Sequence, residues 1–355
     1  MSSDQEKVNL QGPVCPLPLP KDEYIVMGHS SGGKLMHDLI KKHFLSAFDN
    51  PILAAGNDAG EVAVTSKRLA ISTDAHVVSP LFFPGGDIGR LAVCGTVNDV
   101  AMIGAKPLYL SASFILEEGL PIETLNRVIL SMQKAAEEAN VQIVAGDTKV
   151  VEKGKADGLY ISSTGVGEIT SKNNIGGENA QIGDKIILSG TIGDHGIAVL
   201  SARGDLGFDA DIKSDLAPLN GMISNILQTS KNIHVMRDPT RGGIATSLNE
   251  IAKQSNLGIL LHEPSIPVKP VVQSACEMLG FDPLYVANEG KLLVFVSPQD
   301  ESRIIKVMKD HPYGKDTCVI GEVAEEPPGR VLMKTVIGSH RVVDVLMGEM
   351  LPRIC

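Results

Sequence analysis

Short apolar runs alternate along the chain with stretches of helical spacing. Leu69-Ala-Ile-Ser-Thr-Asp74 reads as a strand ending in a turn, and Leu108 to Leu116 as a second strand. Between Glu123 and Asn140, Leu125, Val128, Ile129, Met132, Ala135, Ala136 and Ala139 recur at three- and four-residue steps and predict one amphipathic helix. Strands follow at Val141 to Asp147 and at Gly158 to Gly167. After a turn-rich stretch, Ser171 to Asn179, the alternation resumes. Lys185-Ile-Ile-Leu-Ser leads into Gly190-Thr-Ile-Gly-Asp-His-Gly196 and an apolar helix, and Asp238-Pro-Thr-Arg-Gly-Gly243 opens another carrying Ile244, Leu248, Ile251 and Ala252. Leu257 to His262, Lys291 to Ser297, Cys318 to Val323 and Val331 to Ile337 complete the predicted strands. The class is α/β or α+β in two domains.

The ends have a different texture. Residues 1–24 are polar and rich in proline, an extended arm rather than a folded element. The final stretch from Gly348 has no periodicity and contains Pro352, so it reads as a mobile tail. The expected organisation is an N-terminal arm with a Gly-rich segment (1–50), a first domain (51–178), a second (179–340) and a tail (341–355) ending in Cys355.

Composition narrows the function. With 32 basic and 42 acidic side chains the net charge is −10, which argues against a binder of phosphate backbones. Trp is absent and aromatics are 4%, so platforms for stacked bases are scarce as well. No apolar run is long enough to cross a bilayer and the first residues lack a secretory pattern. Cys15, Cys94, Cys276, Cys318 and Cys355 are scattered without a C-x-x-C, which fits neither a disulfide framework nor a zinc site and suggests a reducing, cytoplasmic setting.

Aspartates beside small residues carry the candidate chemistry. Gly56-Asn-Asp58-Ala-Gly, Ser72-Thr-Asp74, Val97-Asn98-Asp99 and Ala145-Gly146-Asp147-Thr148 each place one at or near an expected strand end. Singly, each is an ordinary turn or cap. Four in one half suit Mg²⁺ bound with a nucleoside triphosphate, because this hard cation takes a few carboxylates together with phosphate oxygens and water. Lys149, next to Asp147-Thr148, would then lie near the metal cluster, available for phosphate or proton work. Gly28-His-Ser-Ser-Gly-Gly-Lys34 satisfies G-x-x-x-x-G-K, but Leu35 follows where a hydroxyl should hold Mg²⁺, so it is no true P-loop. It is either a lid with Lys34 over phosphates or a plain hinge. Glu289, before the apolar strand at Lys291, reads on spacing alone as a turn acid. Cys355 is too close to the end for a prenylation box, yet a thiol at the tip of an arm has a use: about a dozen flexible residues reach roughly 20 Å. Pro352 keeps such an end extended, and Arg353 can pair with phosphate or an acidic wall.

Taken together these segments resemble the HypE family of hydrogenase maturation proteins. The resemblance runs from about residue 22 through His29-Ser-Ser-Gly-Gly-Lys-Leu-Met, Gly56-Asn-Asp-Ala-Gly, Pro84 to Pro107, Ala145-Gly-Asp-Thr-Lys-Val and Gly193-Asp-His-Gly. It continues through Arg237-Asp-Pro-Thr-Arg-Gly-Gly and Asn288-Glu-Gly to the discriminating ending Pro352-Arg-Ile-Cys355. The Asn-Asp and Asp-Pro-Thr-Arg-Gly-Gly blocks are shared with a wider superfamily of aminoimidazole ribonucleotide synthetase, selenophosphate synthetase and thiamine-monophosphate kinase. His29-Ser30-Ser31 departs from that family's usual His-Gly-Gly.

The resemblance implies a two-domain fold whose N-terminal half pairs across a homodimer into a β-barrel. It implies ATP, contacted by Lys34, Asn98, Asp99, Gly146 and Thr148, and Mg²⁺, held by Asp58, Asp74, Asp99 and Asp147. Lys149 and Glu289 match residues assigned to proton transfer and orientation, and Cys355 carries the reacting sulfur. The implied activity is ATP-dependent dehydration of a carbamoyl group on Cys355 to a thiocyanate, the source of the cyanide ligand in nickel–iron hydrogenase. A HypF-type carbamoyltransferase would load the thiol and a HypC–HypD complex would take the cyanide. Two rivals remain: a selenophosphate synthetase, which expects an early reactive Cys in a Gly-Cys-Gly setting where Cys15 sits among prolines, and a non-catalytic carrier.

Overall fold

The computed structural model describes residues 19–30, 33–55, 59–171, 173–204, 211–345 and 353–355. Helix α1 (Lys34–Leu39) continues as a wider turn over Ile40–Leu45 and is followed by α2 (Pro51–Ala54). Then come β1 (Leu69–His76), the two-residue strands β2 (Phe82–Phe83) and β3 (Gly86–Asp87), α3 (Ile88–Met102), β4 (Lys106–Glu117), α4 (Ile122–Ala139), β5 (Gln142–Val151) and β6 (Leu159–Glu168). The second half has β7 (Lys185–Leu188), α5 (Asp194–Arg203), α6 (Asn220–Thr229), β8 (Ile233–Arg237), α7 (Gly243–Ser255) and β9 (Gly258–His262). It ends with α8 (Pro270–Leu279), β10 (Leu293–Val296), α9 (Glu301–Lys309), β11 (Cys318–Ala324), β12 (Val331–Lys334) and β13 (His340–Val343).

The first sheet has the order β1-β6-β4-β5. Its β4–β5 pair is parallel and joined by α4, whose seven periodic residues are all buried. Against the same face lies α3, which the hydrophobic pattern does not predict. Thirteen of its fifteen residues are buried, so no polar stripe marks it, and it contains Gly89, Gly95, Asn98 and Asp99. Asp87 caps it by accepting from the amides of Gly89 and Arg90 at 2.8 and 3.1 Å. Asp99 therefore stands on a helix and not at a strand end.

The opposite face of this sheet is uncovered: Ile71 is 69% exposed, and Thr73, Ser113, Ser162 and Ile115 are exposed beside it. The chain by itself forms an open sheet of four strands, with no closed barrel among the described residues.

The second sheet has the order β13-β12-β9-β11-β7-β10-β8 and is covered on both faces. Along β7, Ile186 and Leu188 pack with α7, and Ile187 packs with α6 and α9. Helices α5 and α8 join the core of the first half instead, so the two halves share packing. No described helix is long and apolar enough to cross a membrane.

Both ends differ from the sequence expectation. Residues 34–45 are helical and bury Leu39 and Phe44 in the first core, where an arm was expected. His340–Val343 pairs with β12, so the expected tail from residue 341 begins inside a strand.

Gly243 tests how tightly the second half is closed. Its φ is +60°, and a Cβ there would lie 2.4 Å from the Leu284 oxygen and 2.8 Å from that of Val286. Gly280, with φ +69°, has open space around the same atom. Denaturation should show Gly280→Ala costing about 1 kcal/mol and Gly243→Ala at least about 2 kcal/mol more. Equal losses would mean that the backbone yields at Leu284.

Candidate active site

Strand β1 turns Ser72 and Asp74 toward α3, and the Ser72 hydroxyl donates to Asp99 Oδ2 at 2.7 Å. From the second half, Asp238 at the end of β8 and Glu289 before β10 face the same region. Glu289 is buried and its Oε1 has no hydrogen-bond partner. Burial pushes its carboxyl well above the usual range, and Asp215, Asp238, Asp74 and Asp99 add to the push. Burial, then Asp99, raises Asp238 to about 7. Burial also raises Asp99, against the Ser72 hydroxyl and with Asp74. Four carboxyls thus meet at the seam between the halves with little compensating charge.

The segment 214–219 holds this seam together. Asp215 accepts from the Glu289 and Gly290 amides at 3.1 and 3.2 Å and pairs with Lys291 at 3.3 Å. Burial would raise the Asp215 carboxyl, but Lys291 and those amides hold it below its ordinary value. Asn98 donates to the Ala217 carbonyl at 3.0 Å and accepts from the Leu219 amide at 2.8 Å. Its amide, expected on ATP, is engaged at both ends and clamps the halves. Asn288 joins two further loops, accepting from Gly193 N at 2.8 Å and donating to Pro239 O at 2.9 Å.

The expected site residues fall into two groups. Asp74, Asp99 and Glu289 come together. Asp147 and Lys149 form a 2.8 Å ion pair on the uncovered face of β5, and Lys149 holds the Asp147 carboxyl below its usual range. Strands β1 and β5 are the two edges of the sheet, three spacings or about 14 Å apart. Lys149 is therefore not beside Asp74 and Asp99 within one chain, contrary to the sequence expectation. The strand order, invisible in the spacing, is the reason. Gly146 and Thr148 line an apolar cavity of about 250 Å³ with Met36, Ile40, Phe44 and Phe114. Lys34 is exposed at the start of α1. Asp58 lies outside the described residues, as do Ser31 and Pro352. A larger cleft of about 700 Å³, lined by Lys106, Asn220, His311 and Tyr313, contains none of the expected residues.

The end of the tail is docked inward. Ile354 is buried in the first core and Cys355 packs against it. Arg353 turns the chain with φ +55°, where an extended end was expected, and pairs with Asp157. Val77, whose amide donates to the Cys355 main-chain oxygen, lies three residues beyond Asp74, about 10 Å along the chain.

Among the described residues no three His, Cys, Asp or Glu side chains are gathered closely enough to hold a metal ion. Two carboxylates, Asp74 and Asp99, beside an orphaned Glu289 oxygen suit Mg²⁺, which completes its shell with phosphate oxygens and water. Asp238 and the 214–219 segment escape sequence reading. The Asp-Pro-Thr-Arg-Gly-Gly run points to Asp238, whereas nothing local marks the segment.

Comparison with known proteins agrees with this architecture. The family model for the N-terminal domain of AIR synthase related proteins matches residues 56–169, and that for the C-terminal domain matches residues 181–334. The carbamoyl dehydratase HypE of Cupriavidus necator is 54% identical over 336 residues, covering 94% of this chain and 96% of that protein. A crystal structure of hydrogenase maturation protein HypE in complex with ATP superposes with a TM-score of 0.90 at 48% identity, over 93% of this chain and 99% of that one. A chain of a HypE–HypF complex superposes with a TM-score of 0.77 at 49% identity, over 88% and 100%. The two halves are those of the AIR synthase related proteins, and within that superfamily the chain belongs to the HypE family.

Asp238 yields a pH test in metal-free protein. Its carboxyl ionises near 3.8 in an unfolded chain and near 7 in the fold. The folded state binds more protons in that window, so this contribution is full below about pH 4 and lost as pH rises through about 7. Asp238→Asn should flatten the decline in Tm between about pH 5 and about pH 8. A decline as steep as in the unaltered protein would remove Asp238 from the cluster.

Proposed function

We propose that this chain is an ATP-dependent carbamoyl dehydratase that converts a carbamoyl group on its own Cys355 into a thiocyanate. The observation that carries the reading is the inward-docked Cys355, seated along β1 from Asp74 while Glu289 waits at the seam with an unpartnered oxygen. The ATP complex of a HypE relative supports the nucleotide. The HypE–HypF complex supports a HypF-type carbamoyltransferase as the enzyme that loads the thiol. A HypC–HypD type acceptor for the cyanide, a nickel–iron hydrogenase as its destination and a cytoplasmic setting belong to the same reading.

Removing oxygen from S–C(=O)–NH₂ needs a better leaving group than oxide. Bound MgATP would supply it, its γ-phosphoryl group passing to the carbamoyl oxygen so that this oxygen leaves as phosphate. The chain's own residues do the rest. Asp74 and Asp99 would hold the cation, and Gly146, Thr148 and Lys34 would contact the nucleotide. Two N–H protons must depart: Glu289, made more basic by burial and then by its acidic neighbours, takes one from the carbamoyl nitrogen, and the departing phosphate carries the other. Burial at the seam keeps water from the activated carbon.

The uncovered sheet face supports a homodimer. Ile71 and Ile115 among small polar residues form a surface that a second copy would cover, closing the two open sheets into a barrel. That pairing would bring the partner subunit's Asp147 and Lys149 to the site that one chain lacks.

Intact mass of the C-terminal peptide tests the reaction. After carbamoylation, ATP should remove the mass of one water from the peptide that ends in Cys355, and Cys355→Ala should abolish the change without lowering Tm. Water loss at an internal cysteine, or ATP turnover without any loss, would refute the reading.

A further inference from the structure

The last three residues are held by main-chain bonds as well as by the Arg353 side chain, which donates to the Val77 carbonyl at 3.3 Å. Val77 N donates to the Cys355 main-chain oxygen at 3.1 Å and Ser79 N to the Arg353 carbonyl at 3.2 Å, two rungs of a strand-like addition. The Arg203 side chain donates to the Ser79 carbonyl at 2.5 Å and also to that of Arg353. Between these rungs, the Ile354 carbonyl meets His195 Nε2 at 2.8 Å.

A carbonyl only accepts, so Nε2 carries the imidazole proton and Nδ1 is the bare nitrogen. Ser214 Oγ lies 2.8 Å from Nδ1, donates to it, and accepts from the Leu216 amide at 3.1 Å. The chain of hydrogen bonds therefore has one direction: Leu216 N–H to Ser214 O–H to His195, and His195 N–H to Ile354. The ring is fully buried and packs edge-on against Phe83 with centroids 5.4 Å apart. Burial keeps it neutral, which leaves one proton and one partner on each side.

We propose that His195 is the positioning residue that latches the tail, and that it links docking to the seam segment carrying Asp215. That carboxylate receives the Glu289 amide, so the contact that holds Ile354 is built on the same segment that holds Glu289. None of these bonds uses the Cys355 sulfur. The purpose of the latch rests on the proposed dehydration, but the contact itself is testable without any turnover.

Amide hydrogen exchange at Val77 and Ser79 reads tail release directly, because both amides donate to the tail. His195→Leu removes the donor. His195→Asn, the variant to use should Leu not fold, places its amide near Nδ1 and short of Ile354. His195→Gln restores a donor near the Nε2 position. Exchange at Val77 and Ser79 should accelerate about fivefold to tenfold in the Leu and Asn variants and stay within about twofold of the unaltered protein in the Gln variant. Leu110, in the middle of β4, should not change in any of them. Unchanged exchange in the Asn variant, or equal acceleration in Asn and Gln, would overturn the latch. Gln-specific rescue in a protein that never loses water at Cys355 would uphold the latch and refute the reaction.

Discussion

The buried ion pair between Asp215 and Lys291 is the interaction on which the rest of the seam depends. Two charges taken from water are stable only when hydrogen bonds satisfy the remaining lone pairs. Here the Glu289 and Gly290 amides do so at 3.1 and 3.2 Å. The carboxylate thereby fixes the backbone on which Glu289 rides. Its neighbours in the chain reach the other way: Ser214 to His195 and the tail, Ala217 and Leu219 to Asn98 of α3. One short segment ties the second domain, the first domain and the C-terminus to a single arrangement.

That arrangement maintains an unfavourable charge distribution. Burial raises the affinity of Asp99, Asp238 and Glu289 for protons, acidic neighbours add to it, and Arg237 offsets only part of the rise at Asp99 and Asp238. A cluster with no structural benefit of its own is a common mark of a site that a ligand completes. Mg²⁺ with a triphosphate and a proton acceptor for the carbamoyl nitrogen are the functions these groups serve in the proposed reaction. The counterpart is the Asp147–Lys149 pair, which shares the sheet and not the face. Alternation along β5 points both outward, and the strand order puts them at the far edge from β1.

Much of this was legible in the sequence, and the failures have physical causes. Strands β1, β4, β5 and β6 and helix α4 follow from residues that bury one face only. Helix α3 did not, because burial on nearly every side erases the period that reveals a helix. Asp74 and Asp99 were singled out as aspartates beside small residues and Glu289 only through the family resemblance, and the three face one region. Their separation from Lys149 could not be found, because spacing says nothing of strand order. The tail was recognised by its Pro-Arg-Ile-Cys ending, but its docking uses carbonyl groups that any sequence would carry. Arg353, expected to meet phosphate or an acidic wall, does pair with Asp157, whereas nothing in the sequence marked Ile354 as buried.

The central claim is that one chain holds the tail, the cation carboxylates and Glu289, whereas Lys149 reaches them from the second copy. Two differently tagged variants, Lys149→Ala and Glu289→Gln, can be co-produced and the mixed dimer isolated through both tags. Each variant alone should be inactive in thiocyanate formation. The mixed dimer contains one site with both residues intact and one with neither, so it should recover about half of the unaltered activity. A mixed dimer as inactive as its parents would place Lys149 and Glu289 in the same chain's site and contradict the account.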